Sequence, residues 1–242
     1  MSGPVRHRSR WRRLGARALP AFVVLAAGVA IAAALQVRDV RVSGTHRFPV
    51  REVETALRAA LGTPTIATRA GALRARVLEI PWVADASVQV SLDGVVTCAV
   101  TEREPDAVAV DGGVRRLVDS GGTILGPAAD GTPLLELDGF GPFPEERAAV
   151  LAAVSACERA WGARVVSAQR IALNDVAFRF AGTPLPVLAD PRHPDALREA
   201  RRVLTAWTAK RPAPARIDAR VAGLVAVLPA PEEPPAEPEE GR

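Results

Sequence analysis

Residues 78–104, LEIPWVADASVQVSLDGVVTCAVTERE, decide how this chain folds. Leu78 closes a helix, Pro81-Trp82 stops it, and two strands follow on either side of Asp93-Gly94. Val88 and Val90 alternate with Ser87, Gln89 and Ser91, while Val96, Cys98 and Val100 alternate with Thr97, Ala99 and Thr101. That period of two marks half-buried strands. A two-residue turn at Asp93-Gly94 would put the two apolar sets on opposite faces. The sequence therefore predicts an odd-length loop of three or five residues, which brings both sets to one side.

Working back toward the start, residues 37–42 form an expected strand in which Val40 and Val42 alternate with Asp39 and Arg41, closed by Ser43-Gly44. Pro49 opens a helix whose Val50, Val53, Leu57 and Leu61 make one stripe at the helical period, ended by Gly62. A second helix starts after Thr68 and turns Leu73 and Val77 inward. The order is strand, helix, helix, strand, strand. Both helices can then cover one face of a small sheet.

Further back, residues 18–35, ALPAFVVLAAGVAIAAAL, carry no charge. Eighteen helical residues span about 27 Å against a hydrocarbon core of about 30 Å, enough to cross a bilayer. The run is longer than a usual signal-peptide core, which favours an uncleaved anchor over a cleaved signal ending near Ala32 and Ala34. Arg6, Arg8, Arg10, Arg12, Arg13 and Arg17 precede it, so residues 1–17 read as a basic cytoplasmic tail and the bulk as extracytoplasmic. Those six arginines more than account for the net charge of +4, and the remainder is close to neutral. No basic stripe interleaved with aromatics follows it, which argues against nucleic-acid binding.

Toward the other end, Val108 and Val110 before Asp111-Gly112-Gly113, Leu117 and Val118 before Ser120-Gly121-Gly122, and then Ile124-Leu125 spell a run of hairpins. A helix over residues 144–161 buries Val150, Leu151, Val154, Cys157 and Trp161. Residues 171–173 and 176–180 flank a turn at Asn174-Asp175, residues 185–188 make a short strand, and residues 194–209 make a second helix with Leu197, Val203, Leu204 and Trp207 inward. The expected class is α+β, with a mostly antiparallel β-rich domain and two helices. Residues 229–242, rich in proline and glutamate, cannot bury enough apolar surface to fold and read as a solvated tail.

The residues supply little for catalysis. His7, His46 and His193 have no partners at metal-ligand spacing, and Cys98 and Cys157 read as small core residues. Ser120 and Ser155 lie in no nucleophile elbow, and no set of side chains fills acid, base and nucleophile roles. No cofactor and no metal is expected, and the chain reads as a binding protein rather than an enzyme. Its sharpest feature is the last strand, read as residues 221–228, VAGLVAVL, uncharged and apolar on both faces. Such a segment is either a buried central strand or an exposed sheet edge that templates a partner strand.

Gly44 after the first strand, Ile80-Pro81-Trp82-Val83, Val88-Gln89-Val90 and Thr101-Glu102-Arg103-Glu104-Pro105 together resemble a POTRA domain of the FtsQ (DivIB) family of bacterial cell-division proteins. The likeness continues through Arg116-Leu117-Val118-Asp119 with Gly121-Gly122, and through Ile217-Asp218-Ala219-Arg220, to about Leu228. Ala219 departs from it, since the family usually has a larger apolar residue there. The resemblance implies a basic tail at 1–17, a transmembrane helix at 18–35, a POTRA domain at 36–104, an FtsQ-type β domain at 105–228 and the tail at 229–242. It implies a single-pass type II protein at the division septum, a non-catalytic scaffold whose partners are FtsB- and FtsL-type proteins. The docking edge it implies carries Val221, Gly223, Leu224, Val225, Ala226 and Val227, and Glu102 would belong to the POTRA contact surface. The alternative is an envelope POTRA chaperone that receives unfolded strands, which requires a cleaved signal and more POTRA repeats or a barrel.

Overall fold

The computed structural model describes residues 23–24, 26–30, 35–172 and 174–231. The expected membrane helix over residues 18–35 falls largely outside them; residues 23–24 and 26–30 are helical, and no helix among the described residues is long and apolar enough to cross a membrane. Residues 1–17 and 232–242 also lie outside the described residues. The chain divides into two units between Glu102 and Arg103.

The first unit runs β1 (Asp39–Ser43), α1 (Val50–Leu57), α2 (Ala70–Leu78), β2 (Val83–Val90) and β3 (Val95–Glu102). Its sheet has the order β1-β3-β2, with β1 parallel to β3 and β2 antiparallel to it. The Ser91 N–H donates to the Val95 carbonyl at 2.9 Å, leaving Leu92, Asp93 and Gly94 as a three-residue loop. Gly94 takes φ +87°, the left-handed position that such loops require. Val88 therefore faces Cys98 and Val90 faces Val96, so both apolar sets share a side. Val53, Leu57, Leu73, Val77, Val83 and Val96 form the buried centre.

The stripe on α1 is shorter than its spacing suggests. Val53 and Leu57 are buried, but Val50 and Leu61 are exposed. The cause is a 3-10 turn over Arg58–Ala60, which changes the angular step per residue and brings Ala60 inward in place of Leu61.

Among its described residues the second unit holds a nine-stranded sheet and two helices. Its elements are β4 (Pro105–Asp111), β5 (Val114–Asp119), β6 (Ile124–Pro127), β7 (Leu135–Asp138), α3 (Pro144–Trp161), β8 (Val165–Ala172), β9 (Asp175–Phe180), β10 (Val187–Ala189), α4 (Asp195–Thr208), β11 (Arg216–Val221) and β12 (Leu224–Leu228). The strand order is β12-β11-β10-β9-β8-β7-β4-β5-β6. Pairings β4–β7, β7–β8 and β10–β11 are parallel, and the other five are antiparallel. Leu137, Phe178, Phe180, Leu197 and Ile217 are fully buried, with Trp161 stacked on Phe180 at 4.7 Å between ring centroids. Cys157 sits in this core, where burial, aided by Glu158, pushes its thiol up to about 11.

One buried charge anchors the β5–β6 end of the sheet. Arg147, on α3 and 2% exposed, donates through Nε to the Gly122 carbonyl at 2.9 Å and through a terminal nitrogen to the Gly141 carbonyl at 2.5 Å. Gly122 has φ +78°, and a Cβ there would collide with the Pro144 backbone. The Ser120–Thr123 turn therefore closes directly on the start of α3.

Candidate partner-binding edge

Among the described residues the last reversal is at Ala222-Gly223, where Gly223 takes φ +76°. Residues 221–228 are thus not one strand, as the apolar run suggested. Val221 ends β11, Ala222 and Gly223 form the turn, and only Leu224–Leu228 make β12. The physical reason is the glycine: without a Cβ it enters the left-handed region at little cost, and a two-residue hairpin follows.

β12 is the terminal strand of the nine, and among the described residues it pairs with β11 alone. Leu224 and Leu228 are 61% and 50% exposed, and Ala226 is exposed between them. Val225 and Val227 are half-buried on the other face, with Val225 packed against the main core. Both faces of β12 are therefore apolar, one anchored and one open.

Alternation fixes which backbone groups are available. The Leu228 carbonyl accepts the Ala215 N–H at 2.9 Å, so Leu228 turns its polar groups toward the preceding chain. In an antiparallel strand successive residues turn opposite ways. Leu224 and Ala226 thus also face β11, while Val225 and Val227 direct N–H and C=O outward, two donors and two acceptors. Val221, exposed at 60%, and Gly223 border this edge without contributing to its outward row.

An ion network braces the hairpin on its open face. Arg220 donates to Asp218 at 2.6 and 2.9 Å and to Asp175 on β9 at 2.7 Å. The Arg220 guanidinium, against the opposing push of burial, holds the Asp218 carboxyl below its ordinary range. These residues, with Val221, Leu224 and Ala226, line a hollow of about 430 Å³ beside the edge. The β11 register shifts by one residue between Asp218 and Val221, a bulge at the position of the network.

Glu102 lies elsewhere, at the end of β3 in the first unit. Its Oε1 accepts the backbone N–H of His46 at 2.6 Å and of Arg47 at 2.9 Å. Burial alone would raise this carboxyl, but the N–H groups of Arg47, His46 and Phe48 together outweigh it and the net shift is downward. Glu102 is thus a side-chain clasp on the 46–48 loop. Its distance of 55 positions from Arg47 along the chain hides that role from any local pattern.

No group of three or more His, Cys, Asp or Glu among the described residues has the placement to hold a metal ion. Residues 35–103 match the family model described as POTRA domain, FtsQ-type. Over 119 residues the chain is 35% identical to the cell division protein FtsQ of Mycolicibacterium smegmatis (strain ATCC 700084 / mc(2)155). Residues 35–103 are thus an FtsQ-type POTRA domain. The aligned stretch is 48% of this chain and 36% of that FtsQ, so it spans about a third of the relative. The FtsQ-type model covers β1 to β3 of the first unit, and the β12 edge lies beyond its matched residues.

Proposed function

We propose that this chain is an FtsQ-family protein and a non-catalytic scaffold of bacterial cell division, anchored in the membrane near residues 18–35 with its bulk extracytoplasmic at the septum. It recruits FtsB- and FtsL-type partners by strand addition to β12, and through them controls septal peptidoglycan synthesis. The observation that carries the reading is the position of β12 as a sheet terminus with an uncharged LVAVL sequence and outward polar groups on Val225 and Val227. Glu102 contributes to the POTRA contact surface by fixing the loop at 46–48 rather than by touching a partner itself.

Magnitudes say what the partner must supply. Four edge hydrogen bonds at about 0.5–1.5 kcal/mol each give about 2–6 kcal/mol. A micromolar complex needs about 8 kcal/mol in net terms. The backbone is insufficient alone, so the added strand must also bury Leu224, Ala226 and Leu228 beneath apolar side chains of its own.

Proline separates the two rows of the edge. Val225→Pro deletes an outward donor and is expected to weaken binding of a purified FtsB-type partner at least about ten-fold, with thermal unfolding of the second unit retained. Ala226→Pro deletes a donor toward β11 and is expected to lower the unfolding temperature. Unchanged partner affinity for a folded Val225→Pro chain would remove β12 as the docking site.

A further inference from the structure

The exposed side of α4 carries a cationic groove that strand addition at β12 does not use. Arg198, Arg201 and Arg202 line it together with Ala160, Ala206 and Ala209, around a volume of about 650 Å³. On α4, Arg198, Arg201, Arg202 and Ala206 fall at i, i+3, i+4 and i+8, a single helical face, with Ala209 capping its end. Two of the arginines have only exposed local partners, Asp195 to Arg198 at 3.0 Å and Glu199 to Arg202 at 3.3 Å. Such pairs are worth little and exchange readily. Arg201 leans on the Gly162 end of α3, and no carboxylate among the described residues is paired with it. The groove thus offers guanidinium groups around a floor of small apolar side chains.

We propose that this groove seats the chain's own segment 232–240, EEPPAEPEE. Three observations select it over an occupant from elsewhere. The first is charge: Glu232, Glu233, Glu237, Glu239 and Glu240 meet a face bearing three arginines. The second is the point of departure. The Leu228 carbonyl accepts from Ala215, and Trp207 Nε1 donates to the Pro212 carbonyl at 2.9 Å, so β12 releases the chain beside the C-terminal end of α4. The third is reach. From Pro231 to Glu240 a proline-rich chain at about 3.1 Å per residue extends about 28 Å, whereas the 14 residues of α4 cover about 21 Å. The segment is long enough to run the helix back to Arg198.

Prolines at 234, 235 and 238 limit the freedom lost on seating, and their rings suit an alanine floor. The tether supplies the rest. A segment attached this close has an effective concentration in the millimolar range, so contacts too weak to hold a separate peptide suffice within one chain.

The test uses the full chain in detergent micelles with Ala206→Cys and Ala236→Cys, since both native cysteines are buried. The expected result is an intramolecular disulfide whose rate of formation falls about five- to ten-fold in about 0.5 M salt. The triple change Arg198→Glu, Arg201→Glu and Arg202→Glu lowers it equally. Converting the five tail glutamates to arginine in that background restores it, which separates charge pairing from loss of fold. A rate indifferent to salt and to reversal overturns the proposal, as do disulfides formed chiefly between two copies. Displacement of the segment by phosphatidylglycerol vesicles, with phosphatidylcholine vesicles inert, would assign the face to an anionic lipid surface instead and equally overturn it.

Discussion

The nine-stranded sheet ends in two unlike strands. β6 is four residues, ILGP, with Leu125 buried, and β12 is five, LVAVL, with Leu224 and Leu228 exposed. The Ala128 N–H donates to the Arg115 carbonyl, so by alternation Pro127 turns its nitrogen outward. The donor that β6 lacks is one that would have faced solvent. Proline on an edge strand blocks pairing with another chain, and the short length of β6 does the same. β12 has neither safeguard before Pro229. One terminus of the sheet is closed by its own sequence and the other carries no such block, and the difference lies in which residue stands at an outward position.

The comparison can be broken most severely at the closed end. Arg147→Ala is expected to cost about 3 kcal/mol in urea unfolding of the second unit, because the Gly122 and Gly141 carbonyls lose a charged donor and a buried side chain leaves a void. The sheet margin at β6 should loosen while β12 keeps its exchange protection. Next in size is Pro127→Val, which restores one outward donor on β6. One added bond of about 1 kcal/mol corresponds to about five-fold tighter self-association, measurable by sedimentation, with no matching gain when the change is made at the inward Gly126.

The smallest effect concerns pH at the open end. The folded Asp218 carboxyl lies below its unfolded value, so its pairing with Arg220 stabilises the hairpin fully above pH of about 4 and is lost as pH falls through the folded value. Amide exchange of β11 and β12 is expected to be pH-independent in its protection between about pH 8 and 5 and to weaken below about 4. Both side chains are partly exposed, so the change should stay under about 1 kcal/mol, and Asp218→Asn should abolish it.

Much of this architecture is legible from residue order because it is local. The alternation in Val88–Val100 dictates an odd loop, and Pro144 with Gly162 bounds α3. β7 is different. Only four residues long, it lies parallel between β4 and β8, so its pairing partners are remote in sequence and no hairpin signal announces it. The edge status of β12 is of the same kind. An apolar LVAVL reads equally as a core strand, and only the strand order shows that one side is bare. Glu102 was singled out by likeness to a family surface, yet its partners at 46–48 become visible only once β3 lies beside the loop after β1. Gly223 lies within the apolar run, and its positive φ makes it a reversal that shortens the edge by three residues.

The hairpin of β11 and β12 is synthesised after every other strand of its sheet. A nascent chain halted before Leu224 would display β11 as its margin, with Asp218 and Arg220 where the aliphatic row belongs. Under the strand-addition reading, a partner that recognises the finished margin therefore inspects, by that one act, whether translation and folding of the whole domain have reached completion.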